Sequence, residues 1–252
     1  MEQDRSGRPQ KLDPAKTARR IAQFDAMKPI TFNPVVIETF ARLHGVQAFL
    51  ETMNEGIPTV EEKAHRYLEQ LAEKAGWEKG DYTVERSVLD AKFHLWVPTF
   101  ASWSAAIILH SIVETQLDAF AEYMGQQRGA QLRAKDVAGK DIERSVRYLK
   151  LALSIDVKAD RAWSRLKDLQ SLRNIIVHRG GKRGESPEHQ KTVDALVKKY
   201  PQNLELRTAD GFHEQIWVSM NLCRDFVQDV DGFFERVFRA SGLPSRHIRL
   251  DD

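Results

Sequence analysis

The chain has 252 residues, a formal net charge of +2 and 42% hydrophobic residues, enough to fill one large core or a bundle with an appended unit. Its single cysteine, Cys223, excludes an intramolecular disulfide, and its charged first residues precede no apolar segment of the kind a signal peptide needs. The longest uninterrupted apolar run, 105–109, is far shorter than a membrane span. We therefore expect a cytoplasmic protein without a membrane role.

The first part of the chain predicts helices. One is expected over about 13–27, and Pro34 opens a second whose apolar residues have helical spacing. Thr59 and Glu62 have the spacing of a capping box, which predicts that a third helix begins there and ends near residue 76. Residues 1–98 are thus expected to form an N-terminal helical region.

A change of period at 89–97 predicts a β-strand at the end of this region. Apolar residues occupy every second position, while the positions between them hold Asp90, Lys92, His94 and Trp96. Pro98 would end the strand. A shorter alternation at 204–207 is its expected partner, giving a small two-stranded accessory.

The second half, 99–252, predicts an antiparallel bundle. Glycines stand where its helices should stop, and an insertion over 182–210 carries a short helix that begins at Ser186-Pro187. The predicted fold is mostly α: an antiparallel four-helix bundle with an N-terminal helical extension and the small β accessory. The bundle helices are expected at about 99–124, 140–154, 160–179 and 211–240.

Positive charge is concentrated in the middle of the chain. Between Arg128 and Arg183 there are 15 Lys or Arg against 6 Asp or Glu, a local balance of +9 in a chain whose total is +2. Such a region can neutralise phosphates, although solvated helix faces carry similar charge for solubility alone.

A polar interruption of the third bundle helix lies within this basic region. Asn174 and His178 are four residues apart and therefore neighbours on one side of the helix, and the long side chain of Arg173 can reach the same edge. The helix should stop at Gly180-Gly181, which leaves His178 at a rim rather than in the core. Three polar groups can then converge.

These residue types suit phosphodiester chemistry without a metal. Arginine offers a fixed fork of donors for a phosphate, and a histidine can activate a ribose 2′-hydroxyl. The alternative is structural: Arg173 and Asn174 are hydrogen-bonding residues and His178 caps the helix. Neither a metal site nor a cofactor is expected, because the histidines show no metal-ligand spacing and no phosphate-binding loop is present. Cys223, beside Leu222 on a helix, predicts a buried thiol.

The pattern Arg173-Asn174, three apolar residues and His178, on the third helix of a bundle, resembles the signature of the HEPN superfamily. The resemblance covers roughly 99–240 and implies a metal-independent RNA endonuclease that acts as a toxin or in anti-phage defence, with paired motifs at a homodimer interface. It implies that Arg173 stabilises the scissile phosphate, His178 is the general acid or base, and Asn174 orients the site. Other members of the superfamily are non-catalytic binding modules.

Additional residues are expected around the motif. Arg179, Lys182 and Arg183 flank it and are the candidate RNA-binding residues. On the first bundle helix, His110 and Glu114 interrupt an apolar face four residues apart. Glu114 would either pair with Arg173 across the bundle or form a self-contained pair with His110. The expected partners are RNA, a second copy of the chain, and an antitoxin or other defence protein.

Overall fold

The computed structural model describes residues 33–208 and 213–243. This part of the chain is mostly helical with one small two-stranded sheet, as predicted; the helix predicted over 13–27 lies outside it. The elements in chain order are α1 (Pro34–Ala75), α2 (Lys79–Ala91), a π-helical turn (Lys92–Trp96), α3 (Val97–Gln127), α4 (Asp141–Leu153), α5 (Trp163–Arg179), α6 (Pro187–Lys199), β1 (Leu204–Thr208), β2 (Glu214–Val218) and α7 (Met220–Ala240).

Helix α1 is one continuous helix of 42 residues, so the prediction of a helix start at Thr59 is wrong. The Thr59 hydroxyl donates backwards to the carbonyl of Glu55 (3.4 Å), a mid-helix bond that takes the place of a cap. All the buried residues of α1 lie in its first half, ending at Leu50, where the helix packs on α3 and α7. Packing on α3 and α7 therefore stabilises the first half of α1 as a helix, independently of the capping signals in its sequence.

The strand predicted over 89–97 is also wrong, because α2 continues through the π-helical turn into α3. Pro98 has no amide hydrogen for the preceding turn, and the wider π-turn stands immediately before it. Leu89, Phe93 and Trp96 share one helical face, and Phe93 is buried. The residues therefore fit a helical period as well as a period of two, and packing decided between them.

Helix α3 is the central helix and contacts α1, α4, α5 and α7. Large aromatic side chains of α7, among them Phe234 and Phe238, are fully buried, and Phe120 of α3 packs against Phe238 with ring centroids 5.3 Å apart. The three bundle helices predicted at 99–124, 140–154 and 160–179 are confirmed within a few residues.

Two details of α3 depart from the sequence prediction. Gly125 does not end the helix; it is buried inside it, and a side chain there would lie under 3.0 Å from Tyr148. The continuous segment Lys79–Gln127 is long and apolar enough to cross a membrane, but 56% of its apolar window is buried inside the fold. That burial is the pattern of a core helix in a soluble protein.

The sheet consists of β1 and β2, which pair antiparallel with Leu204 opposite Val218 and Thr208 opposite Glu214. The predicted strand at 204–207 is confirmed, but its predicted partner is wrong. The partner comes instead from the start of the predicted fourth bundle helix, because α7 begins only at Met220, after Ser219 caps it by accepting from the amide of Leu222.

Candidate active site

The motif lies at the C-terminal end of α5, which stops where the sequence predicts. Gly180 adopts a left-handed conformation (φ 58°), and its amide donates to the carbonyl of Ile176 (2.9 Å). The amide of Gly181 reaches back to the carbonyl of Ile175 (3.2 Å), so the two glycines satisfy the last carbonyls of the helix. Ile175 and Ile176 are buried, and the polar residues of the motif therefore face outward.

Three polar side chains of the motif meet at one point. Nη1 of Arg173 donates to Oδ1 of Asn174 at 3.1 Å and lies 3.4 Å from Nε2 of His178. Asn174 and His178 are exposed, and Arg173 is half-buried. A guanidinium only donates hydrogen bonds, so Arg173 is the donor toward Asn174, and its Nη1 is directed at the imidazole of His178 as well. The arrangement therefore holds an arginine beside a histidine that can take a proton.

The chain leaving the motif is fixed to the sheet. The carbonyl of Gly181 accepts from the amide of Ile216 (2.8 Å), and the Gln215 side chain donates to the carbonyl of Gly180 (2.8 Å). Gly181 itself is buried against Trp103 of α3, whose ring would lie under 3.0 Å from any side chain placed there. The end of α5 thus rests on both the central helix and β2.

Arg183 is engaged with two carboxylates. Its guanidinium donates two bonds to Asp194 of α6 (2.9 and 2.7 Å) and one to Glu214 of β2 (2.8 Å). These hydrogen bonds, first that to Asp194, raise the pKa of Arg183. Its donors join α6 and β2 to the exit of the motif, and RNA binding by Arg183 stays a prediction.

Arg179 and Lys182 are differently placed. Neither forms an ion pair with any residue of 33–208 or 213–243. Nη1 of Arg179 is shielded from solvent near Gly184 and has no acceptor among those residues. A buried donor without an acceptor is energetically costly. If the Arg179 side chain turned outward onto an anion, Nη1 would gain an acceptor.

Much of the predicted basic region is neutralised in the fold. Acidic residues from outside this region accept from its cations, as Asp229 does from Arg165 (2.6 Å) and Asp118 from Arg144 (3.4 Å). The positive charge that remains beside the motif therefore comes from Arg173, Arg179 and Lys182. The excess of positive charge is more local than the sequence count suggests.

A groove of about 360 Å³ runs between α5 and α6, on the side of the motif helix that carries Ser171. Asp168 lies at one end, where it accepts from Lys199 and from the Tyr200 hydroxyl. Burial raises the pKa of Tyr200, and the bond to Asp168 adds to this effect. The predicted short helix of the insertion is thus confirmed as α6, and it is fastened against α5.

The two residues predicted on α3 lie together. Nδ1 of the buried His110 is 4.0 Å from Oε2 of the half-buried Glu114, which fits the self-contained pair. Pairing of Glu114 with Arg173 stays a prediction. Cys223 is confirmed as a buried thiol: its sulfur lies 3.3 Å from the carbonyl of Ser102, and burial raises its pKa to about 12. A thiol so placed is a poor nucleophile.

One group of polar side chains was not foreseen. Glu61 and His65 of α1 meet Asp90 of α2, and their ligand atoms lie within 4.8 Å of one another. The sequence carried a signal, since Glu61 precedes His65 by one helical turn. Asp90 lies in the segment 89–97, for which the sequence wrongly predicts a strand, so its position beside α1 was not predicted.

A scan against models of known protein families found no match for this chain, and searches of curated proteins and of solved structures found none either. The class of the protein therefore has to be inferred from the fold and the site.

Proposed function

We propose that the protein is a metal-independent RNA endonuclease of HEPN type, with α3, α4, α5 and α7 as its four-helix bundle. The observation that carries the proposal is the meeting of Arg173, Asn174 and His178 at the exposed end of α5, with Arg173 Nη1 3.1 Å from Asn174 Oδ1 and 3.4 Å from His178 Nε2. In the cleaving state these donors and the imidazole turn onto RNA.

The chemistry assigns one role to each side chain. His178 takes the proton of a ribose 2′-hydroxyl, whose oxygen forms a bond to phosphorus as the bond to the 5′-oxygen breaks. Arg173 donates to the phosphate oxygens, on which negative charge grows, and Asn174 holds the guanidinium in place. The leaving 5′-oxygen takes a proton from water, and His178 then returns its proton to the hydroxide that is left, so the products carry a 2′,3′-cyclic phosphate and a 5′-hydroxyl.

Two features support a site shared by two copies of the chain. Asn174 and His178 of the motif are both exposed, so one copy alone leaves a bound RNA strand open to water. Val177, directly beside His178, is 45% exposed and offers an apolar side chain that a second copy would cover. We infer a homodimer in which two motifs face one RNA strand, acting in the cytoplasm as a toxin or in anti-phage defence.

The test is cleavage of RNA in EDTA by wild type, His178→Ala and Arg173→Ala. Each substitution is expected to lower the cleavage rate at least 100-fold, since a positioned acid–base group contributes about 10²–10⁴. The matched controls are His44→Ala and Arg161→Ala, both at exposed positions away from the motif. They are expected to cleave like wild type and to give the same cyclic-phosphate ends.

The alternative function is a non-catalytic module that binds RNA, a nucleotide or a protein partner. It predicts no cleavage by wild type across a broad RNA panel, or equal cleavage by all variants from a contaminant. Either result overturns the nuclease proposal. A growth arrest on expression that His178→Ala relieves would support a toxin, and an antitoxin would then be sought as a co-purifying partner.

A further inference from the structure

Two pairs of polar side chains lie opposite each other in a part of the chain that is distant in sequence from the motif. On α1, Glu61 and His65 are four residues apart; on the following helix, Asp90 and His94 repeat the same order and spacing. Residues at this spacing share a helix face, and α1 packs along α2 and the π-helical turn. The fold therefore brings two carboxylates and two imidazoles together.

The distances fit a shared cation. Nε2 of His94 lies 2.7 Å from Oε1 of Glu61, and Nε2 of His65 lies 3.0 Å from Oδ1 of Asp90 and 3.7 Å from the same Glu61 oxygen. Four ligands bound tetrahedrally to zinc at 2.0–2.1 Å are about 3.3 Å apart. The ligand atoms of Glu61, His65 and Asp90 already lie within 4.8 Å of one another, and rotation of the exposed His94 side chain would add its Nε2 to this set of three.

The burial pattern gives such an ion a structural purpose. In the hairpin formed by residues 51–75 of α1 and by α2, the structure shows no buried residue. The hairpin lacks the apolar core that holds the rest of the molecule together. A cation bound by both helices would join them where Glu61 and His65 meet Asp90.

We infer that Glu61, His65, Asp90 and His94 form a site for a zinc ion or a similar first-row divalent metal that clips α1 to α2. Two nitrogens and two carboxylate oxygens suit zinc, whereas calcium and magnesium prefer oxygen ligands only. The inner pair, Glu61 and His65, is 19% and 20% exposed, and His94 is 63% exposed. The site is therefore open to solvent on the side of His94.

The experiment measures metal binding by the full-length protein. The protein is stripped with EDTA, dialysed and titrated with ZnCl2, and the bound metal is counted by elemental analysis. Substitution with Co²⁺ gives an independent readout, since the visible absorption of a four-coordinate site differs from that of hydrated cobalt. We expect one zinc ion per chain, and a higher melting temperature when zinc is bound.

Two variants and one control decide the outcome. His65→Ala and the exposed His94→Ala should each weaken zinc binding at least 10-fold, and the second cannot be dismissed as a folding defect. His44→Ala, on an exposed turn of the same α1, should bind like wild type. Binding below 0.1 zinc per chain (about background), or an equal loss in His44→Ala, overturns the proposal.

Discussion

At the scale of single residues, Gly181 is fixed as glycine by two separate constraints. Its φ of +78° is disfavoured for any side chain, and a Cβ would lie under 3.0 Å from the buried ring of Trp103. We expect Gly181→Ala to lower the free energy of unfolding by about 2–4 kcal/mol, from backbone strain and overpacking together. Denaturant unfolding measures the change.

Gly45 provides the matched control for this substitution. It lies on an exposed turn of α1, and a Cβ there would meet nothing within 4 Å. Gly45→Ala is expected to raise the free energy of unfolding by about 0.5–1 kcal/mol, because alanine is the better helix former. If both substitutions had the same sign, the close packing of Gly181 on Trp103 would be disproved.

Lys182 and Arg183 are adjacent, but we expect them to act differently on RNA. Lys182 has no carboxylate partner in the part of the chain described, whereas Arg183 is bound to Asp194 and Glu214. Lys182→Ala should weaken RNA binding and reduce the slope of log K against log salt by about 1, the value for one phosphate contact.

Arg183→Gln is the companion experiment. Loss of its three bonds should make α6 easier to cleave by protease, while the salt slope of RNA binding stays that of wild type. Binding measured by fluorescence anisotropy at several salt concentrations distinguishes the two residues. An equal drop in slope for both would show that Arg183 leaves its carboxylates to bind RNA.

At the scale of elements, one ion pair joins the start of α5 to α7. The two carboxylate oxygens of Asp160 accept from the Arg236 guanidinium (2.7 and 2.8 Å), and one also accepts from the amide of Ala162 (2.8 Å). Burial alone would raise the pKa of Asp160, but these hydrogen bonds outweigh it and hold the pKa below its ordinary value.

A carboxyl whose pKa is lowered by folding stabilises the protein fully above its ordinary pKa of about 4. That contribution is lost as the pH falls through the lower folded pKa. Asp160→Asn should therefore cost about 1–2 kcal/mol at pH 7 and flatten the loss of stability below pH ~4. Unfolding curves at several pH values test this.

Glu38→Gln is the control, because it removes an exposed ion pair with Arg42 whose members are 53% and 48% exposed. It should change stability by less than about 0.5 kcal/mol. If Asp160→Asn lost stability below pH ~4 as steeply as wild type does, the role given to the Asp160–Arg236 pair would be contradicted.

The hairpin of residues 51–91 should be the least stable part of the helical region. It shows no buried residue before Phe93, while α3 is buried along most of its length. We expect amides of 51–91 to exchange hydrogen at least 100-fold faster than those of α3, and zinc to slow that exchange. Equal amide exchange rates in 51–91 and in α3 would contradict this expectation. The same measurement on His44→Ala serves as the control.

At the scale of the whole molecule, RNA cleavage that needs no metal is compatible with a zinc site between α1 and α2. EDTA should remove the ion from the hairpin and lower the melting temperature, yet leave RNA cleavage unchanged below that temperature, since no ligand of the ion belongs to the motif. Restored stability without a change in cleavage rate, on adding zinc back, would agree with both proposals.

Assembly is a further property of the whole molecule. Val177→Glu puts a charge beside His178 at the proposed dimer interface, so light scattering should show a shift from dimer to monomer together with a loss of cleavage. Val84→Glu is the matched control, because Val84 is 62% exposed on the distant hairpin. A monomer that cleaves RNA would exclude the shared site.

Features that depend on local rules could be predicted from the sequence. It located the end of α5 because glycine alone readily takes the left-handed turn at Gly180, and it brought Asn174 and His178 together because residues four apart share a helix face. It also located α4, α6 and β1 through caps and apolar spacing.

Only the tertiary structure decided features that depend on distant partners. Residues 89–97 satisfy two periods, and packing against α1 and α3 selected the helix. The contact of Arg183 with Glu214 and the meeting of Glu61 with His94 join segments far apart in the chain. Such contacts follow from how helices pack, which local spacing does not specify.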